Sequence, residues 1–404
     1  MSKQYTLKEK MKAIGPGILV VGSFIGPGTV TSATRAGASY GYALIWTVIF
    51  SVIAVIVMQE MAARLGIVTQ SGLGEELVKE LSDRPVFKWI MIVLVGSAIT
   101  LGGVAYMGGD LTGTAVGLSA ITGIPSNIIA PIWGIGILIL INIGDAIKSL
   151  EKLLAVCVST MAVVFIITMI MVKPDIGAVL RGFTPIPPEG SIMTCVSLIG
   201  TTVVPYNMFI HATSASKTWK DPDMLPLSKF DIVVSMVIGG LITGAVMITA
   251  GTVMYGMEVT SAADMAVQLE PLLGNFSVPF LSLGLVAAGV SSAVITPLGV
   301  SYVLASLFGW EMHKGDKRFF WTNILVVVFG IFVAATGFNP LTIIMMAQAV
   351  NGVFLPIIVI AIVFITSRKR VLGEYVNTPL QTILGSCVAI ISLIIGISSV
   401  MSLF

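Results

Sequence analysis

The sequence predicts an all-helical integral membrane protein built as an inverted repeat, and three observations predict it. Of 404 residues, 56% are hydrophobic and only 10% charged, against roughly 25% charged in a soluble domain. Eleven apolar stretches of about 20 residues, long enough to cross a bilayer, follow one another along the chain. Two of them are interrupted in mid-span, at Gly26-Pro27-Gly28-Thr29 and Val204-Pro205-Tyr206-Asn207, each in the first stretch of one half.

The stretches lie near 14–37, 42–63, 88–119, 127–145, 152–172, 192–214, 231–256, 275–307, 320–338, 341–366 and 380–403. The third is too long for a perpendicular span and must tilt or protrude. With the N-terminus in the cytoplasm, the loops at 64–88, 146–152, 215–230, 308–319 and 367–379 are cytoplasmic. Those loops and the N-terminal arm, with Lys3, Lys8, Lys10 and Lys12, hold all 22 Lys and Arg residues except Arg35, Lys173 and Arg181. The 257–274 loop on the other side carries Glu258, Asp264 and Glu270. This asymmetry predicts an N-in, C-out orientation in the cell membrane, with residues 1–404 as one membrane domain. No short apolar core with a small-residue cleavage site follows the basic arm, so no removable signal peptide is expected. Cys157, Cys195 and Cys387 all lie in apolar runs and read as small buried hydrophobes, with no disulfide framework or thiolate metal site.

Eleven spans divide as five, five and one. Repeat one covers about 14–172, repeat two about 192–366, and 380–403 is an extra helix. Segments one and six then run in opposite directions. A proline inside a span removes a backbone donor and clashes with the preceding turn. The freed groups cannot face lipid, so they line a cavity or meet protein. Inverted halves with broken first helices describe the LeuT-type fold, and matched breaks point to the central site of a secondary transporter.

The residues around the breaks also carry a resemblance. Gly15-Pro16-Gly17, Gly26-Pro27-Gly28-Thr29 and Ala36-Gly37-Ala38-Ser39-Tyr40-Gly41-Tyr42 resemble the first helix of the Nramp family of divalent-metal transporters. Ala62-Ala63-Arg64-Leu65-Gly66-Ile67-Val68-Thr69 is similar to that family's second segment. Gly200-Thr201-Thr202-Val203-Val204-Pro205-Tyr206-Asn207, ending at His211, resembles its sixth. Typical members have Asp-Pro-Gly-Asn where this chain has Gly26-Pro27-Gly28-Thr29, and Met-Pro-His where it has Val204-Pro205-Tyr206. The Asp, Asn and Met are the family's metal ligands, and all three are missing. A small alanine of the family is replaced by Thr201, and the acidic pair expected on the third helix is reduced to Asp110, with Gly113 at the second position.

A site without thioether sulfur loses its preference for soft transition metals. The change to Gly26 enlarges it, and Thr29, Thr201 and Thr202 add hydroxyls. Mg²⁺ sheds water reluctantly and usually keeps several aquo ligands. The pattern resembles a distant prokaryotic Nramp-related branch of magnesium transporters. It implies an importer of Mg²⁺, with Mn²⁺ as a second ion, bound largely hydrated and without obligatory proton coupling.

Gly26, Thr29, Thr201, Thr202, Tyr206, Asn207, Asp110 and Gln348 are the candidate binding residues. Thr29, Asp110 and Thr201 are the candidates to address the metal, largely through water. Asp110, deep in an apolar segment, is a functional candidate by default, acting at longer range or capping the nearby break. Glu60 pairs with Arg64 at i, i+4 or lines an inner vestibule. His211 is a proton carrier or a structural hydrogen-bonding group. Gln348 and Asn351 serve cross-helix hydrogen bonds or coordination. The run Gly239-Gly240-Leu241-Ile242-Thr243-Gly244 reads as helix contact.

No metalloprotease spacing, nucleophile elbow, phosphate loop or dinucleotide fingerprint is present, so neither an enzyme nor a resident cofactor is expected. The partners expected are a divalent cation and the lipid bilayer, with no nucleic acid, and the chain is expected to be a monomer. Two other readings stay open. A small organic solute or amino acid could seat its carboxylate at the half-helix N-termini, or the fold could be kept as a non-transporting sensor or scaffold.

Overall fold

The computed structural model describes residues 5–142, 145–311 and 316–401. Lys3 and Lys314 lie outside these residues, as do the side chains of Lys148 and Lys152. Among the described residues nine helical stretches are long and apolar enough to cross a membrane. The shorter Ser126–Asn142 and the broken first segment bring the spans to eleven.

Segment one consists of two half-helices, Pro16–Phe24 and Pro27–Tyr40. Segment six consists of Ile192–Thr202 and Pro205–Thr218. Each outer or inner half that follows a break begins with proline at its first position, where the missing N–H is an unpaired donor anyway. The intervening residues leave the helical region. Gly26 is extended at φ −115°, ψ −172°, and Val203 and Val204 have ψ of 69° and 118°. Both predicted breaks are therefore real unwindings, and they replace the two continuous helices that the apolar pattern alone would give.

The remaining spans are Ile45–Thr69, Pro85–Thr122, Asp145–Met171, Leu225–Val253, Ser277–Phe308, Lys317–Ala334, Pro340–Thr366 and Pro379–Met401. Segment three, at 38 residues, is the long one that the sequence requires to tilt or protrude. Two predicted loops are shorter than expected. Residues 64–69 continue the second helix, so Arg64 is buried rather than in a loop. The stretch 146–152 is helical, within Asp145–Met171. Arg64 broke the apolar reading, but its charge pairs with Glu60 one turn back and the helix continues past it.

Segment three packs along segments eight and ten, and segment seven along segments one and two. Close approach is made by glycine. A Cβ on Gly200 would stand 2.0 Å from the Gln348 carbonyl oxygen, so segments six and ten touch backbone to backbone. Gly239 and Gly240 take Phe24 and Val52 at the distances a Cβ would need, which is the helix-contact role expected of that run. Large apolar side chains on the outside, among them Ile132, Ile135 and Ile139 of segment four and Phe329 and Phe332 of segment nine, are exposed. On a membrane protein such a surface faces lipid.

Candidate functional site

Breaking a helix leaves carbonyls at its C-terminal end without intrahelical donors. At the first break the hydroxyl of Thr29 donates to the Phe24 carbonyl at 2.5 Å, so a residue of the outer half satisfies the end of the inner half. The same hydroxyl lies 2.9 Å from that of Thr201, at the end of the outer half of segment six. The two breaks thus meet through a pair of threonines.

Asp110 comes to this junction from segment three. A Cβ on Gly26 would be 3.9 Å from its Oδ1 and 3.8 Å from the Ser292 hydroxyl. Thr296 of segment eight donates to Asp110 Oδ2 at 3.1 Å. The Tyr206 hydroxyl is 3.0 Å from that of Thr296. The Tyr106 ring stands edge-on to Tyr206 with centroids 6.1 Å apart. One carboxyl group thereby meets a hydroxyl of segment eight, which in turn meets that of Tyr206 on segment six. A buried carboxyl without such a partner would be costly at this depth.

The structure places the Asp110 carboxyl group beside the first break. It corrects the roomy pocket. Thr29, Asp110, Thr201, Tyr206 and Gln348 are all at most 1% exposed, so in this conformation the site is closed at both ends. Gly26 adds little space because Asp110 and Ser292 fill it. Gly113 meets Pro27, and a Cβ there would be 2.1 Å from the proline ring. A second acidic side chain at that position has no room.

Gln348 packs against the same break, its Nε2 2.2 Å from where a Gly28 Cβ would be. Neither end of its amide has a hydrogen-bond partner among the described residues, so cross-helix hydrogen bonding does not account for it. Thr202 is buried and returns its hydroxyl to the Leu198 carbonyl at 3.1 Å. Asn207 is buried on the inner half of segment six. His211 is fully buried, yet neither ring nitrogen has a partner among the described residues, which overturns its expected hydrogen-bonding role. Glu60 lies apart from this site. It takes Arg64 at 3.1 Å, Lys229 at 3.3 Å and Gln381 at 3.1 Å, the ion pair expected of it with two further partners.

Ser292, Thr296 and Tyr106 were not anticipated from the sequence. Serine, threonine and tyrosine in an apolar helix are common, and only their convergence on Asp110 distinguishes these three. Among the described residues no group of three or more His, Cys, Asp or Glu could hold a metal. Direct protein contacts to a cation here would come from one carboxylate, hydroxyls and carbonyls.

A family model described as natural resistance-associated macrophage protein-like, Nramp, matches residues 17–402. The chain is 27% identical over 414 residues to a divalent metal cation transporter MntH from Yersinia pestis, covering 98% of this chain and 96% of the relative. It superimposes on a manganese transporter from Eremococcus coleocola with a TM-score of 0.80, at 19% identity, over 100% of this chain and 89% of the other. The amino-acid-bound MhsT, solved with L-phenylalanine, matches with a TM-score of 0.59 at 16% identity over the full length of both chains. These likenesses show the LeuT-type fold.

Proposed function

Because this chain belongs to the Nramp family of divalent metal cation transporters, we propose that it imports Mg²⁺ with most of its water shell, takes Mn²⁺ as a second ion, and does so without obligatory proton coupling. The observation that carries this reading is the single carboxylate of Asp110 beside Gly26, hydrogen-bonded to a hydroxyl and with no sulfur donor at Val204. A soft donor is what would favour a transition metal. Hydroxyls and one carboxylate suit the water-clad shell that Mg²⁺ keeps.

Thr29, Thr201, Tyr206, Gln348 and Asp110 would line the ion, with Gly26, Thr202 and Asn207 around them. Asp110 supplies the only charge, and Gln348 brings an amide with both ends available. Each break also contributes the C-terminal end of a half-helix, whose carbonyls favour a cation. An amino acid would have to place its carboxylate against Asp110, which disfavours the organic-solute reading. Proton coupling would rest on His211 and Asp110 alone, without the motif histidine or the second acidic residue. The driving force would be voltage, worth about 2.3 kcal/mol per charge per 100 mV and twice that for a dication.

Purified protein in liposomes provides the test, with Mg²⁺, Mn²⁺, Ca²⁺ and amino acids offered in competition under an inside-negative potential. Mg²⁺ should enter with little internal acidification. Asp110→Asn should lower the Mg²⁺ uptake rate at least tenfold while the protein stays folded and monodisperse. Wild-type uptake by Asp110→Asn would sink the site, and a proton flux matching the Mg²⁺ flux would sink the uncoupled mechanism.

A further inference from the structure

We propose that Thr296 is a positioning and specificity-determining residue of this ion site, accepting hydrogen bonds from the ion's water shell in competition with Tyr206, so that ion arrival loosens the side chain that closes the cytoplasmic side. The inference deepens the function proposed above and rests on it.

The Thr296 hydroxyl is fully buried and has three oxygens in reach. These are Asp110 Oδ2 at 3.1 Å, the Ser292 carbonyl at 3.0 Å and the Tyr206 hydroxyl at 3.0 Å. A hydroxyl has one proton to give and two lone pairs to offer. It cannot donate to the carboxylate and the carbonyl at once. With no ion present the charged acceptor wins, and the chain runs from the Tyr206 hydroxyl to Thr296 to Asp110. With a hydrated dication against Asp110, the ion's waters present O–H donors outward and need acceptors. Thr296 can then turn its proton to the Ser292 carbonyl, one helical turn back, and accept from the ion's waters with its lone pairs. The Thr29 hydroxyl has the same option on the other side, with the Phe24 carbonyl as its resting acceptor. Each of the two hydroxyls has a backbone acceptor within reach for its proton. Such an arrangement favours an ion that keeps its waters.

Tyr206 is what the competition affects. Its ring is pressed between Tyr106 and segment eight, where a Cβ on Gly299 would be 2.7 Å from Tyr206 Cδ2 and 3.1 Å from Ile210 Cδ1. The next turn opens into a cavity of about 220 Å³ lined by Phe209, Ile210, Ser214, Lys217, Tyr302 and Ser306. Tyr206 and Ile210 therefore separate the site from that cavity. Among the described residues the Tyr206 hydroxyl hydrogen-bonds Thr296, so waters that take both Thr296 lone pairs weaken what holds this ring in place.

The test uses Thr296→Val, which keeps the shape and removes the hydroxyl, Thr296→Ser, which restores it, and Tyr206→Phe, which removes only the competitor. Two quantities are read in full-length protein in liposomes. One is the KM and maximal rate for Mg²⁺. The other is thiol labelling of Ser214→Cys in the cavity with and without Mg²⁺, in a background with Cys157 and Cys387 replaced by serine. Thr296→Val should raise the KM for Mg²⁺ about tenfold and abolish the Mg²⁺-induced rise in Ser214→Cys labelling, and Thr296→Ser should recover both. Tyr206→Phe should lower the KM and raise labelling without Mg²⁺. A Thr296→Val protein with wild-type KM and labelling overturns the proposal, as does a Thr296→Ser protein no better than Thr296→Val. A raised KM in Tyr206→Phe also overturns it, since the tyrosine would then serve the ion itself, and this holds if Thr296→Val fails to fold. Failure of the wild type to take up any dication overturns the function instead, and the two failures are thus distinguishable.

Discussion

At the scale of single residues, one carboxylate sets the character of the centre. Asp110 stands where segment three passes the first break, and its neighbours there are hydroxyls and the unwound backbone of Gly26. A Cβ at Gly26 would sit in ordinary contact with Ser292 at 3.8 Å and Asp110 Oδ1 at 3.9 Å. Charge is the obstacle. Gly26→Asp would set two carboxylates side by side, and like charges about 4 Å apart repel by about 4 kcal/mol at an effective dielectric of 20. The variant should melt well below the wild type without divalent ions and regain its stability in Mn²⁺, which a thermal-shift titration would read. A Gly26→Asp protein equally stable with and without metal would show that the two groups do not face one another. The same reasoning qualifies any attempt to restore transition-metal preference by adding the family's aspartate, because here its charge meets Asp110.

At the scale of elements, the inner half of segment one is tied down at its far end as well as at the break. Its first turn begins at Pro16, and the backbone N–H groups of Gly15 and Gly17 donate to Asp231 of segment seven at 3.0 and 2.7 Å. A carboxylate at a helix N-terminus satisfies donors that have no partner within the helix and complements the macrodipole. Gly17 is required by that contact, since a Cβ would lie 2.9 Å from Asp231 Oδ2. Asp231 is itself fully buried, so the tie is shielded from water. A half-helix of only nine residues has little stability of its own, and this anchor holds it against segment seven. Asp231→Leu should free it, with a loss of about 1.5–3 kcal/mol per charge-assisted hydrogen bond. Labelling of Ser214→Cys from the cytoplasmic side should then rise without added ion. Unchanged labelling would mean that packing alone keeps the half-helix in place.

Across the whole molecule, the cytoplasmic ends of several segments are joined by one polar network. Glu60 receives Arg64, Lys229 and Gln381, while Arg64 also donates to Asn377 at 2.7 Å and to the Tyr375 carbonyl. Segments two, seven and eleven and the connection before segment eleven meet there. Arg64 is 4% exposed, and removing one partner of a buried pair leaves an uncompensated charge, a loss of about 3 kcal/mol or more. Glu60→Gln should lower the melting temperature while leaving the KM for Mg²⁺ unchanged, because the network lies apart from Asp110. A changed KM with unchanged melting would assign Glu60 to the ion path instead. The outer surface has the opposite character, apolar side chains such as Ile132 and Phe332 facing outward. The protein is thus stitched by charge at its inner end and solvated by lipid around its girth.

The sequence by itself determined the spans, the two breaks and the inverted halves. Apolar length is set by bilayer thickness, and proline excludes its own N–H from any helix whatever surrounds it. It also showed which metal ligands are missing, since those are identities and need no coordinates. Only the tertiary structure decided what replaces them. That Asp110 lies at Gly26, that Thr296 links it to Tyr206, and that Pro27 occupies the space above Gly113 all depend on how segments one, three, six and eight cross. A tilt or register change of one turn would move each partner by about 5.4 Å, beyond the reach of any hydrogen bond. His211 and Gln348 make the same point from the other side, for the sequence offers both as hydrogen-bonding residues and the packing leaves them without partners among the described residues. Local chemistry decides where a helix must break, and only the packing of distant segments decides which groups meet at the break.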